Sequence, residues 1–600
     1  MDAATVAPRA PAPAPEPAPE RERRARRRRL GPAPPGHRDW LYPAALAALL
    51  LASLLLRLWG IKQGLPYSYN ADEATHFVPR AVGFLSQDLN PHYFLNPPAY
   101  SYLLYVVFEL WFGGADAIRT AYTSDPTAVF VVARVVAALL GTVAVGLTYL
   151  AGARLFDRLV GLLGAGVMAF AFLPVFYSHL ALNDVPALAP VALSLYGVAG
   201  VLRLGRRRDY AIAGIGIGLA AATKYTGLII VVCLLAASLC DGLDGSGRTA
   251  ARRCGLALLL ALLAFLITNP YAALDPSTFF SGVSQQASQA AGTEPVKLGS
   301  NPGSGIDYYL WTFTWGLGWG PTIAALGGAA LLLVRRRVAM ALVLLPAPIA
   351  FIVFMGDQQR FFGRWLMPIF PIVALLGAYG AVELARALSR SRGPAPARRL
   401  MPATLAGVIV GVLLLGQSVF ADFHNDEVLS RPDTRNLARA WMVNHVPAGS
   451  KVVLEPLVPD NWALDVGRVL AVTPTGERWW RFPTWMTNLD QNLSPLPTGE
   501  HHYVFVDQYV SQGYCWVVIG SLQAGRAFAQ PGAAPRAISY YAALARRARL
   551  MYQVSPFAKS THPVKFSFDW SIDYYPRQYR RPGPEIGIYH LSGGRCGSTS

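Results

Sequence analysis

VPALAPVALSLYGVAGVLRLGRRRDYAIAGIGIGLAAATKYTGLIIVVCLLAASLC, residues 185–240, is almost continuously apolar, and only the charges at 203–209 and Lys224 break it. A run of about 20 apolar residues makes roughly 30 Å of helix, enough to cross the hydrocarbon of a bilayer. Arginines set beside such runs fix their orientation, because cytoplasmic loops keep the positive charge. The stretch therefore predicts membrane helices joined by a cytoplasmic turn at Arg206–Arg208, with a break at Lys224.

The same alternation recurs outward in both directions. Arginine runs stand at 21–29 (RERRARRRR), 251–253, 335–337 and 397–399, each beside an apolar segment. The chain has 600 residues, 53% hydrophobic and only 15% charged, against about a quarter charged in a soluble protein. Its net charge of +18 sits in these flanking runs, which assigns it to topology and argues against nucleic acid. Orienting each apolar segment by its arginines gives an α-helical integral membrane protein of about eleven transmembrane helices plus interfacial helices. The expected spans lie near 41–60, 127–153, 159–177, 185–203, 210–223, 226–240, 255–270, 307–333, 338–355, 365–387 and 401–420. This map places the amino terminus in the cytoplasm of a cell with a plasma membrane. The apolar segment 94–112 would invert the map if it crossed, so it is expected to lie in the outer interface.

The chain divides into three regions. Residues 1–37 are rich in Pro, Ala, Glu and Arg and read as a disordered cytoplasmic tail. Residues 38–420 form the membrane domain, with a long first external loop at 61–126. Residues 421–600 change to an amphipathic helix, alternating strands and turns, and read as a soluble, extracytoplasmic α/β domain. None of the five cysteines has zinc-ligand spacing; Cys515 and Cys596 could pair there or remain free thiols. P-loop, Rossmann and HExxH patterns are missing, which removes nucleotide-driven chemistry.

Candidate site residues lie in the expected external segments. Asp72 and Glu73 follow the first helix, and an amphipathic pattern after them holds them against the membrane, where a fixed carboxylate can act as general base. His179 and Asp184 stand in the second external turn; Asp184 is either a helix cap or a second functional acid. Two such acids from separate loops, Asp72 and Asp184, could bind a divalent cation or orient an acceptor. Lys224 is an ionisable group at the end of a membrane helix, suited to a phosphate or simply snorkelling. Arg360 and Arg364 lie on the outside against the positive-inside trend, which points to an anionic partner, with interfacial anchoring beside Phe362 and Trp365 as the alternative.

The segments NADEATHF (70–77), HYFLNPPAYSYLL (92–104), SHLALNDVPAL (178–188), GLAAATKYTGL (218–228) and QRFFGRWLMPIFPIVALLG (359–377) together resemble the landmarks of GT-C membrane glycosyltransferases. The likeness is to the protein O-mannosyltransferase and aminoarabinose transferase branch. It covers about residues 45–390, and the tail with NLARAWMVNHVPAGSKVVLE (436–455) and GIYHL (587–591) is similar to the domain appended to bacterial members. The resemblance implies transfer of a sugar from a polyprenyl-phosphate donor to an acceptor glycan, lipid or protein, with inversion. Asp72 would be the base, Glu73 its support, Asp184 the second acid. Lys224, Arg360 and Arg364 would hold the carrier phosphate, with His76, Asn96 and His179 among the substrate-binding residues. The chain departs from that branch at Leu95 and Asn96, where an acid and a lysine are expected, and at Gln285 and Gln286, in a loop without histidine. A lipid-linked sugar flippase that keeps the phosphate-binding cations without a base is the competing reading.

Overall fold

The computed structural model describes residues 40–597 except 86–87, 292–302, 361, 390–401, 457, 465–475, 484–504, 533, 559–563, 568 and 570–573. The tail expected at 1–37 lies outside the described residues. The helical segments run α1 (Leu41–Leu58), α2 (Ala99–Phe112), α3 (Thr127–Leu155), α4 (Arg158–Phe170), α5 (Leu188–Leu204), α6 (Arg207–Thr223), α7 (Tyr225–Leu243), α8 (Gly247–Thr268), α9 (Gly305–Val334), α10 (Val338–Gly356), α11 (Gly363–Ser389) and α12 (Ala403–Leu429). Every expected span is helical. Eight helices among the described residues are long and apolar enough to cross a membrane.

The other three expected spans are shorter: α4 has 13 residues, and α5 and α6 have 17 each. They sit inside the bundle, where more than half of the residues of each are buried, so neighbouring helices rather than lipid set their ends. Helix α2 has 14 residues, about 21 Å at 1.5 Å per residue, and is too short to cross. Small residues bring the interior helices close: a Cβ on Gly214 or Gly218 of α6 would lie 2.1 Å from the carbonyl oxygens of Ala257 and Ala261 on α8.

The bundle has two chemically distinct ends. At one, arginines gather and pair with the few acids there: Arg154 with Asp209 at 2.7 Å, Arg335 with Glu383 at 2.6 Å, Arg386 with Asp157 at 3.0 Å. Helix α5 runs from this end to the opposite one, where Asp184 precedes its first turn.

Helix α12 continues past residue 420 to Leu429 and leads through α13 (Thr434–His445) into the carboxy-terminal domain. Its five-stranded sheet comprises β1 (Lys451–Leu454), β2 (Trp480–Arg481), β3 (Trp516–Gly520), β4 (Ala548–Val554) and β5 (Ile586–Leu591), in the order β2-β1-β3-β5-β4. The pairs β1–β2 and β1–β3 are parallel, while β3–β5 and β4–β5 are antiparallel. Alternation puts Val453 and Val517 in one core and Val452, Leu454 and Val518 in another, so the central strands are buried on both faces. Helices α14 (Ser521–Ala529) and α15 (Pro535–Arg547) follow β3. Cys515 and Cys596 are disulfide-bonded, which resolves the open alternative between pairing and free thiols.

Just after β1, Glu455 is buried; its carboxylate accepts the Gly520 amide at 2.9 Å and the Tyr541 hydroxyl at 2.7 Å. Burial outweighs these hydrogen bonds and pushes the carboxyl up to about 7. The unfolded group titrates near its ordinary 4.5, so the folded state holds a proton that the unfolded state has lost between there and about 7. Stability from this site is full at lower pH and falls as pH rises through that window, by about 3 kcal/mol in all. Hydrogen exchange of the β1 and β3 amides, corrected for intrinsic rates, should show protection falling from pH 5 to 7, and Glu455→Gln should flatten the dependence. A wild-type profile already flat over that range would contradict the assignment.

Candidate active site

The first loop reaches the site through one buried ion pair. Glu73 opens a π-type turn, Glu73–Phe77, and successive residues on a helical turn point about 100° apart. Glu73 faces inward and Asp72 faces a cavity. Glu73 and Arg134 of α3 are both fully buried, and Arg134 binds Glu73 through two hydrogen bonds of 2.8 Å. The other carboxylate contacts come from the Ser68 hydroxyl at 2.6 Å and the Ala181 amide at 2.7 Å. The remaining Arg134 amino group donates to the carbonyls of Ile61 at 2.8 Å and Gln63 at 2.9 Å. The first loop, α3 and the turn that carries Ala181 are thus locked by one fully hydrogen-bonded pair.

Asp72 then meets residues from three other stretches. Arg364 donates to Asp72 at 2.6 Å and lies 3.9 Å from Asp184. Asp184 is paired with Lys224, which stands where α6 ends and the chain becomes extended before α7. The Asn183 side chain donates to the Thr223 carbonyl at 2.8 Å, clamping the second turn to that break. His76 is 3.8 Å from Asp72 and stacks on Tyr93, whose hydroxyl accepts from Asn96 at 2.9 Å. Arg360 and Arg364 both lie against the Phe362 ring, at 5.2 and 5.0 Å. His179 is buried; its ring bonds the Trp59 carbonyl at 2.8 Å and lies 3.5 Å from Asp426 of α12.

Asp72, His179, Arg360 and Arg364 line a cavity of about 1300 Å³, whereas Asp184 and Lys224 lie just behind its wall. Burial raises the Asp72 carboxyl, but Arg364 first, then His76, Lys224 and Arg360, outweigh it and hold it below its ordinary value. Burial is also the main reason that His76 is held below the usual imidazole value, despite the nearby Asp72. At neutral pH the wall therefore presents an ionised carboxylate against a guanidinium, with an uncharged imidazole beside them.

Sequence reasoning passed over Arg134, although a single arginine inside the apolar run 127–155 is itself a signal for a buried partner. It also passed over Arg57 on α1, which donates to the Ala169 carbonyl at 3.0 Å, and over Asp422 and Asp426, which are fully buried on α12.

The architecture is a helical membrane bundle with an acid-bearing first loop, a cationic cluster beside it and an appended α/β domain. Residues 126–272 match the family model of dolichyl-phosphate-mannose-protein mannosyltransferases. Among solved structures, the apo oligosaccharyltransferase of Archaeoglobus fulgidus is 13% identical, with 92% of this chain and 89% of that one covered, at a TM-score of 0.50. ArnT from Cupriavidus metallidurans bound to undecaprenyl phosphate is 12% identical, with 94% and 100% covered and a TM-score of 0.47. The S. cerevisiae Pmt1-Pmt2 protein O-mannosyltransferase complex bound to the sugar donor is 18% identical over 43% of this chain and 36% of that one, at 0.33. No curated protein matches the sequence.

Removing one partner of a buried pair leaves an uncompensated charge, at about 3–5 kcal/mol. Arg134→Met should therefore lower the thermal transition of the detergent-solubilised protein sharply, and the double variant with Glu73→Gln should recover part of the loss. A single variant as stable as wild type would show that the pair does not anchor the loop.

Proposed function

We propose that the protein transfers a sugar from a polyprenyl-phosphate carrier to an acceptor hydroxyl outside the cytoplasm, inverting the anomeric carbon. The observation that carries this reading is the contact of Asp72 with Arg364 on the cavity wall, a base and a phosphate ligand side by side. The family model matching residues 126–272 is named for enzymes of dolichyl-phosphate mannose, which supports a lipid-phosphate sugar as donor class. The arginine-rich end of the bundle belongs in the cytoplasm by the positive-inside tendency, which puts Asp72 on the opposite side of the plasma membrane.

In this reading the acceptor oxygen attacks the anomeric carbon from the face opposite the phosphate. The new C–O bond forms as the bond from that carbon to the phosphate oxygen breaks, the phosphate keeps the electron pair, and the hydroxyl proton passes to Asp72. Arg364 exchanges Asp72 for the incoming phosphate, helped by Arg360. Lys224, held by Asp184, adds positive potential from behind the wall. Losing Arg364 raises the basicity of Asp72 at the moment that a base is needed. The neutral His76, stacked on Tyr93, which accepts from Asn96, stands 3.8 Å from Asp72.

A divalent cation does not fit this donor set. Asp72 and Asp184 each carry a cationic side chain, and among the described residues no group of three or more His, Cys, Asp or Glu side chains is placed to hold a metal. Arg364 and Lys224 occupy the electrostatic role that an ion would have.

Sugar release from polyprenyl-phosphate hexose and pentose donors by protein in nanodiscs tests the proposal. Asp72→Asn should slow turnover by roughly 10²- to 10⁴-fold, the usual contribution of a general base. Arg364→Leu should slow it by roughly 10²- to 10³-fold. Because Asp72 is held low, the wild-type rate should stay flat down to the carboxylate range and fall only at lower pH. Equal turnover by wild type and Asp72→Asn would remove Asp72 as the base.

A further inference from the structure

The wall of the cavity opposite the membrane helices is built by the α/β domain. The parallel strands β1 and β3 end at Leu454 and Gly520, and the segments just beyond those ends line the cavity: Pro456, Val458 and Asn461 after β1, Gln523 and Arg526 on α14 after β3. In open α/β sheets, ligands bind in the crevice outside the carboxyl ends of the strands. Glu455 ties the two ends together by accepting the Gly520 amide at 2.9 Å, so the crevice has a fixed floor.

Two amide oxygens on this wall are unsatisfied. Gln523 is 6% exposed; its nitrogen donates to the Pro456 carbonyl at 3.4 Å, while its oxygen accepts no hydrogen bond among the described residues. The Asn461 side-chain oxygen is likewise buried without a donor among the described residues. A buried acceptor without a donor is costly, so each is poised for a hydrogen-bond donor. Pockets for one small ligand are typically about 300–1,000 Å³, and this cavity of about 1300 Å³ has room for a donor sugar and a second group.

We propose that this crevice is the acceptor subsite and that the acceptor is a carbohydrate, whose ring hydroxyls donate to Gln523 and Asn461 and accept from Arg526. The proposal rests on the transferase reading and names its acceptor class. A polypeptide added as a strand is disfavoured here because, among the described residues, β3 is paired with β1 and β5 and β1 lies between β2 and β3 at Val452. Tyr69 and Tyr575 also line this cavity.

Saturation-transfer NMR on the full-length protein in nanodiscs, without donor, tests this with neutral trisaccharides of mannose, galactose and glucose and with an acetylated Ser/Thr-containing decapeptide. Wild type should saturate at least one trisaccharide and not the peptide. Gln523→Leu and Asn461→Leu should each weaken that binding at least tenfold, while polyprenyl phosphate still quenches tryptophan fluorescence as in wild type, which reports an intact membrane domain. Saturation of the peptide alone, of no trisaccharide, or of the same trisaccharide equally in wild type and both variants would overturn the subsite. Loss of polyprenyl phosphate binding in wild type would strike the donor reading instead, independently of the sugar result.

Discussion

The buried pair between Glu73 and Arg134 is the constraint on which the rest of the molecule depends. Moving two charges out of water costs several kcal/mol per ion, and attraction alone does not guarantee repayment. Here the carboxylate receives hydrogen bonds from Arg134, Ser68 and the Ala181 amide, and Arg134 directs its other donors to Ile61 and Gln63. Either charge left unpaired in that interior would be costly, so the pair fixes the first loop against α3. Asp72, one residue earlier, inherits that position and is turned to the cavity.

The appended domain is held to the same loop. Tyr67 enters the hydrophobic cluster under the sheet with Met442, Trp462 and Ile588, and Tyr69 lies beneath the Arg435 guanidinium at 3.6 Å. From the other side Tyr574 packs among Phe172, Phe176 and Trp315, with its hydroxyl 3.3 Å from that of Tyr177. The Arg364 guanidinium lies 5.8 Å from the Tyr177 ring. The α/β domain thus touches both the loop that carries Asp72 and the residues around Arg364, and cannot shift without disturbing their contact.

Much of this was legible in the sequence because membranes impose a strong grammar. The eleven apolar runs, the short helix α2 and the charged break at Lys224 follow from hydrocarbon thickness and the cost of a buried charge. Asp72, Asp184, Lys224 and Arg364 were nameable because each is an ionisable residue where apolar pattern predominates, and the fold brings all four together. Their pairing was not legible, since it depends on which helices pack side by side. Lys224 finds Asp184 across 40 positions, and Arg364 finds Asp72 across 292. The cavity wall at Asn461 and Gln523 was hidden for a similar reason: nothing in a polar surface pattern says that the ends of two strands will face a membrane domain.

Charge counting joins the site to the proposed chemistry. Two carboxylates, Asp72 and Asp184, stand with three cations, Lys224, Arg360 and Arg364, so the ligand-free cluster carries one net positive charge, with His76 neutral. A sugar linked to a lipid through phosphate is a diester with one negative charge, and it would neutralise the cluster. Transfer converts that diester into a monoester with a second negative charge. The same step places the acceptor proton on Asp72 and removes one negative charge from the wall, so cluster and product again balance. A base placed anywhere else would leave the departing phosphate with an uncompensated charge in a half-buried site, where such an imbalance is worth several kcal/mol. In the proposed transfer, a base standing beside the phosphate ligand lets one proton both activate the acceptor and make room for the charge of the leaving group.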